Sequence, residues 1–166
     1  MPIIAIDPGN VQSGYCVIDQ KTLRPLEFGK IDNEELLKKL ESAAKQGWRW
    51  AVIEMVASYG MSVGRDVFDT TVWIGRFYQV LSSRCSVRMM CRIEEKKHLC
   101  HDSRANDTAI RRALIDRFAA HDLKNGKGTK KAPDFFYGFK ADVWAAYALG
   151  LTAIENREND YKFSTT

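Results

Sequence analysis

The chain has 166 residues, 45% of them hydrophobic and 28% charged, with a net charge of +4. That length suits one domain with a real core, and the composition excludes a disordered or fibrous chain. No apolar run approaches the ~20 residues a membrane helix needs, and no cationic segment precedes an apolar one at the start, so a soluble cytoplasmic protein is expected.

Ile3–Ile6 is an apolar, largely β-branched run that stops abruptly at Asp7-Pro8-Gly9. This is the pattern of a buried strand delivering a carboxylate to its end. Gly14–Asp19 and Leu26–Ile31 read as two further strands, making a three-strand meander. Asp32 or Asn33 then caps a helix with Glu34 and Glu35 in its first turn. Leu36, Leu37, Leu40, Ala43 and Ala44 keep helical spacing, and Gly47 ends the segment. Trp50–Glu54 returns as a strand and, like the first, finishes on an acid.

Ala57–Gly64 is a glycine-punctuated loop, followed by a long helix over Arg65–Ser83. Val67, Thr71, Ile74, Tyr78 and Leu81 form one stripe, and Trp73, Phe77 and Val80 another. A helix apolar on two sides must bury both. Ser86–Ile93 alternates as a fifth strand, and Ser103–Asn106 offers caps for a helix to Ala120. Lys124–Pro133 is a flexible basic loop. Asp142 heads an apolar, alanine-rich helix over Val143–Ile154. The polar segment Asn159–Thr166 reads as a frayed tail, leaving a single domain over residues 1–158.

Cys16, Cys85, Cys91 and Cys100 contain no CxxC pair and read as reduced, mostly buried thiols. The spacing of Cys91, His98, Cys100 and His101 lacks the paired ligands of a structural zinc site. Basic charge is uneven: His121–Lys140 holds five lysines against two acids, and Arg84, Arg88, Arg92, Lys96 and Lys97 straddle the fifth strand. Such surface suits a polyanion. Asp7, Glu54 and Asp142 stand at element ends far apart in sequence. Carboxylates buried singly are costly, whereas carboxylates sharing a divalent cation are compensated, so the three make sense as a convergent metal site.

Asp7-Pro8-Gly9 with Ser13-Gly14-Tyr15, the strand ending Ile53-Glu54, and Ala141-Asp142 opening an Ala-rich helix resemble the RuvC-type Holliday junction resolvases, nucleases of the RNase H-like superfamily. The resemblance spans residues 1–154 and suggests a short, phage-like member. It implies an α/β fold, a five-stranded mixed sheet flanked by helices on both faces. It also implies Asp7, Glu54 and Asp142 as catalytic ligands of two Mg2+ ions, with Mn2+ substituting. In-line hydrolysis of a phosphodiester between two such ions needs no further cofactor. The implied substrate is branched DNA, chiefly four-way junctions, cut by a homodimer; Trp73, Phe77 and Val80 would supply the interface.

The chain departs from the family where many relatives carry an Asp or His one turn before the last acid, because that position is Phe139. The fourth ligand is then absent, replaced by water or supplied elsewhere, with Asp134 one candidate. Lys140 is a candidate contact to the scissile phosphate. Relatives also carry a catalytic Lys or Arg where this chain has Asp107, leaving Arg104, Arg111 or a loop lysine as substitutes. Lys124, Lys127, Lys130, Lys131 and Arg104 are the expected DNA contacts, with Tyr59 and Met61 as wedge or stacking residues. The missing ligand keeps a second reading open, a branched-DNA-binding protein with weak or no nuclease activity. An actin-like ATPase, suggested by the Asp-Pro-Gly turn alone, would need a duplicated domain that 166 residues cannot hold.

Overall fold

Ile3, Ile4, Ala5 and Ile6 are all fully buried. A strand covered on both faces belongs in the middle of a sheet with helices on either side. The computed structural model, which describes residues 1–42, 47–57, 60 and 62–163, with side chains to residue 157, has this arrangement. Its elements are β1 (Pro2–Asp7), β2 (Gln12–Asp19), β3 (Pro25–Asp32), α1 (Asn33–Ser42), β4 (Trp50–Met55), α2 (Arg65–Ser82), β5 (Ser86–Cys91), α3 (Arg92–Cys100), α4 (Asp107–Phe118) and α5 (Ala141–Phe163). The five strands run in the order β3-β2-β1-β4-β5. β1, β2 and β3 pair antiparallel, whereas β1, β4 and β5 pair parallel. Ala43 and Ala44, expected to extend α1, lie outside the described residues.

The two-residue period of a strand divides the core. Ile3, Ala5, Cys16, Ile18, Trp50 and Val52 face α4 and α5. Ile4, Ile6, Tyr15, Val17, Ala51 and Ile53 face α1 and α2. Asp7 continues the first set along β1, and Glu54 continues it along β4. Both acids are therefore delivered to the α5 side of the sheet.

Every residue from Val143 to Ile154 is buried, so α5 is enclosed all round. The sheet covers one side, and on the other Phe118, Phe135, Phe136 and Phe139 cluster around Tyr147 of α5. Gly150 permits the close approach to the sheet, since a Cβ there would lie 2.5 Å from Ile18 Cδ1 and 2.9 Å from Ala5 Cβ. The far end of α5 is tied by Glu155. Its carboxylate accepts from Arg117 of α4 and lies 2.6 Å from His98 Nε2 of α3. Burial opposes the Glu155 charge, but these two partners outweigh it and draw its pKa down to about 2.

Three expectations change. Ser86–Ile93 is not one strand, because β5 stops at Cys91 and α3 begins at Arg92. A reciprocal capping arrangement between Cys91 and Glu94 turns the chain there. The final helix does not end at Ile154 but continues to Phe163, through most of the segment read as a frayed tail. Phe77 cannot serve an intermolecular interface, being 0% exposed and packed with Ile74 and Leu81 under the sheet. Trp73 and Val80 lean on the same core, half-buried. The outward face of α2 instead carries Phe68 and Val72, 62% and 63% exposed.

Asp134 also has a different role from the metal ligand considered above. Oδ1 accepts from the N–H groups of Ala120 and Phe135 at 2.8 and 2.7 Å, and Oδ2 from those of His121 and Asp122 at 2.9 and 2.6 Å. Burial would raise this carboxyl, but the four backbone donors prevail and hold it far below the ordinary carboxylate range. Asp134 thus organises the base of the basic loop. A depressed pKa contributes stability that is present above the unfolded-state value and lost as pH falls through it. Asp134→Ala is expected to lower the melting temperature by several degrees at neutral pH and to flatten the acid-side loss of stability below about pH 4. Thermal unfolding followed by circular dichroism across pH checks both.

Candidate active site

The site begins with a row of residues across the sheet. Asp7 pairs with Gly14, and Gly14 pairs with Lys30. On the other side, Ile6 pairs with Ile53, so Glu54 neighbours Asp7, and Glu54 pairs with Met90. Lys30, Asp7 and Glu54 therefore stand on one face at one level, separated by a glycine. A Cβ on Gly14 would lie 2.5 Å from the Asp142 carbonyl oxygen and 2.9 Å from Asp142 Cβ. The absent side chain is what lets the start of α5 settle on the sheet and bring Asp142 beside Asp7. Lys30 reaches over the same gap to form an ion pair with Asp142.

The turn after Asp7 has its own support. Ser13 Oγ accepts from the Gly9 N–H at 3.2 Å and donates to Asn33 Oδ1 at 2.6 Å, while Asn33 Nδ2 donates to the Gly9 carbonyl at 2.9 Å. Asn33 is thus spent on this turn rather than on capping α1. Gly9 is required there because a Cβ would come within 2.2 Å of the Gln12 carbonyl oxygen. The Asp7-Pro8-Gly9 and Ser13-Gly14 motifs are two sides of one rigid device.

Asp7 and Glu54 share a hydrogen bond. Removal from water is the main force raising the Asp7 pKa, to about 8, with the nearby charges of Glu54 and Asp142 adding and Arg92 opposing. Glu54 is raised too, chiefly by burial, with Arg92 and the Asp7 hydrogen bond holding it down.

Arg92, the first residue of α3, donates to Glu54 Oε2 at 3.2 Å and to Asp107 Oδ1 at 2.5 Å. Its guanidinium lies against Asp107, the position where the resemblance implies a cation and where Arg104, Arg111 or a loop lysine is the expected substitute. Glu95, one turn further along α3, is fully buried. Its pKa is raised to about 9, first by burial and then by the charge of Glu54, with Arg92 opposing. Asp7, Arg92, Glu95, Asp107, Arg111, Asp142 and Trp144 line one open cleft. Glu54 opens onto a second, more apolar cleft with Val56, Val63, Val67 and Lys96, and Arg92 is the wall between the two.

Among the described residues, no group of three or more His, Cys, Asp or Glu side chains is placed to hold a metal ion. Asp142 is turned onto Lys30 and Glu54 onto Arg92. The donor set nevertheless suits a hard divalent cation. All its members are carboxylates, burial and then neighbouring acidic charge raise the pKa of Asp7 and Glu95, and the Glu95 oxygens are buried without a hydrogen-bond partner. Asp7, Glu54 and Asp142 are the residues that would hold such ions.

The other expected residues divide. Phe139 is buried in the aromatic cluster, with its ring centroid 4.7 Å from that of Phe28, so core packing has replaced any ligand at this position. Lys140 is exposed and does not line the acidic cleft; its carbonyl accepts from Val143 and Trp144 and starts α5. The lysine beside Asp142 is Lys30. Arg104 is exposed between α3 and α4. Lys124 and Lys127 line a groove with Asp122, Arg111 and Trp144, the last two shared with the acidic cleft. Lys130 and Lys131 are exposed in the loop beyond it. Tyr59 and Met61 lie outside the described residues.

Glu95, Arg92 and Lys30 are the residues that sequence reasoning did not assign to the site. A signal for the first two existed in Glu94, which stands at the capping-box position of a helix opening at Arg92. Cysteine in the cap position disguised it.

A sheet with one antiparallel meander, two parallel strands and acids at the ends of β1 and β4 defines the RNase H-like class of α/β fold. More particularly, it is the fold of RuvC. The chain superposes on Thermus thermophilus RuvC with a TM-score of 0.65 and 16% identity, covering 96% of this chain and 97% of that one. Against T. thermophilus RuvC in complex with Holliday junction substrate the TM-score is 0.70 at 15% identity, over 96% of each chain. No family model and no curated protein matches the sequence.

Proposed function

We propose that the protein is a metal-dependent endonuclease that cleaves four-way and related branched DNA junctions. The observation that carries this reading is the group of mutually repelling carboxylates on a RuvC fold, with Asp7 and Asp142 lining an open cleft and Glu54 beside Asp7 at the end of the neighbouring strand. A cluster of buried acids is unfavourable by itself and becomes favourable when hard cations neutralise it. Two such ions, Mg2+ or Mn2+, would supply an activated water and stabilise the leaving oxygen.

The chain's own residues supply the rest. Asp7, held by the Gly9–Ser13–Asn33 network, gives a rigid anchor at the centre of the site. Lys30 and Arg92 balance Asp142 and Glu54 here, and would be free to pair with a phosphate if cations were to take over those acids. Arg111, Lys124 and Lys127 continue the cleft into a basic groove, a path for the sugar-phosphate backbone. Arg111 also sits 5.2 Å over the Trp144 ring, which fixes the guanidinium at the junction between cleft and groove.

Each chain has one such acid group, whereas resolving a four-way junction takes two cuts. A two-fold homodimer delivers both, and Phe68 and Val72 on the open face of α2 are the residues we assign to its interface. This replaces the expected Phe77.

Asp7→Asn is expected to lower cleavage of a synthetic junction by well over the roughly 10–100-fold that outer-shell changes cost. Gel-shift affinity for the same junction should stay within a few-fold, because binding rests on phosphate contacts. Changing Lys124, Lys127, Lys130 and Lys131 to Gln should flatten the slope of log K against log salt by roughly 0.9 per lost phosphate contact. Val72→Glu with Phe68→Glu should elute as a monomer by light scattering with little change in melting temperature, since both side chains already face solvent.

A further inference from the structure

Glu95 is the fully buried acid of this cleft that no reading so far has used. Both its carboxylate oxygens are buried, and neither has a hydrogen-bond partner. Among the described residues, the Thr152 hydroxyl is the only other buried side-chain oxygen in that condition. Buried polar groups are normally satisfied, and a carboxylate kept in a core for structural reasons meets an arginine or backbone N–H groups. Glu95 meets neither, although Arg92 lies one turn away and spends its donors on Glu54 and Asp107.

Its position is built rather than incidental. The Cys91–Glu94 capping arrangement starts α3, and His98, one turn after Glu95, is bonded to Glu155 of α5. Helix α3 is thereby pinned at both ends, with Glu95 lining the same cleft as Asp7 and Asp142. The Glu95 carboxylate also faces the charges of Glu54, Arg92, Asp7 and Asp107.

We infer that Glu95 is a fourth acidic ligand of the metal centre, contributed by α3 to the cleft that Asp7 and Asp142 line. The inference rests on the metal-centre reading above and adds a residue to it. It also accounts for Phe139: when α3 supplies the extra acid, the turn before Asp142 is free to join the aromatic core.

The test is Mn2+ titration calorimetry on the protein without DNA, with melting curves recorded in EDTA. Glu95→Gln is expected to weaken Mn2+ binding at least tenfold and to melt in EDTA at or above the wild-type temperature, because an amide of the same shape replaces a buried acid that makes no hydrogen bond. Asp7→Asn serves as the reference. Unchanged Mn2+ affinity in Glu95→Gln alongside a loss in Asp7→Asn overturns the role of Glu95 and leaves the metal centre standing. Unchanged affinity in both overturns both. A Glu95→Gln variant that melts well below wild type in EDTA yet binds Mn2+ normally marks a structural acid and likewise overturns the proposal. Should Glu95→Gln fail to fold, Glu95→Asp replaces it. Withdrawing the carboxylate by one methylene should weaken Mn2+ binding, and unaltered binding refutes the assignment.

Discussion

Four carboxylates and too few cations to satisfy them sit where two parallel strands end against a helix. Asp7, Glu54 and Glu95 are drawn out of water by the same packing that makes the core; Glu54 raises the pKa of both Asp7 and Glu95, and Asp7 raises that of Glu95. Lys30 and Arg92 pair with Asp142 and Glu54 at the edges of the group, and neither forms an ion pair with Asp7 or Glu95. A fold that tolerated this for stability alone would be expected to replace one acid with an apolar residue, because unsatisfied buried charge is among the most costly features a core can carry. That imbalance is what supports the proposed cation-dependent role.

The rest of the architecture keeps those acids in place. The buried β1 and β4 fix Asp7 and Glu54 by register, and the glycine opposite Asp7 admits α5 to backbone contact, which sets Asp142. The enclosed body of α5 cannot shift without disturbing the aromatic cluster around Tyr147 or the Glu155 ties to α3 and α4. Precision at the site is thus inherited from packing far from it. The basic loop follows the same logic, with Asp134 gathering four backbone donors so that Lys124 and Lys127 flank a groove continuous with the acids.

Arg92 organises the cleft in a different way. It closes the ring between Glu54 and Asp107 and forms the wall between an acidic chamber and a more apolar one lined by Val56, Val63 and Val67. An arginine suits this place because its planar fork can hold two carboxylates at once and can turn to a phosphate without losing charge.

Local chemistry alone was enough to read most of the elements and the acids at positions 7, 54 and 142. Runs such as Ile3–Ile6 and Trp50–Ile53 announce strands covered on both faces, and a carboxylate ending each run is visible without coordinates. Helix α3 was hidden, because Arg92–Cys100 buries only a glutamate and so carries no apolar period to detect. Its loss from view took Glu95 with it. On α2, two apolar stripes could be counted but not allotted: whether Phe77 faces a partner or the sheet depends on how the helix is rolled, which is set by contacts with α1 and the strands. Lys30 and Arg92 became site residues only through the lateral order of the strands and the angle of α3. Periodicity records which side of an element is buried; which buried sides meet, and which charge ends opposite which, is decided by long-range packing that no short window of sequence contains.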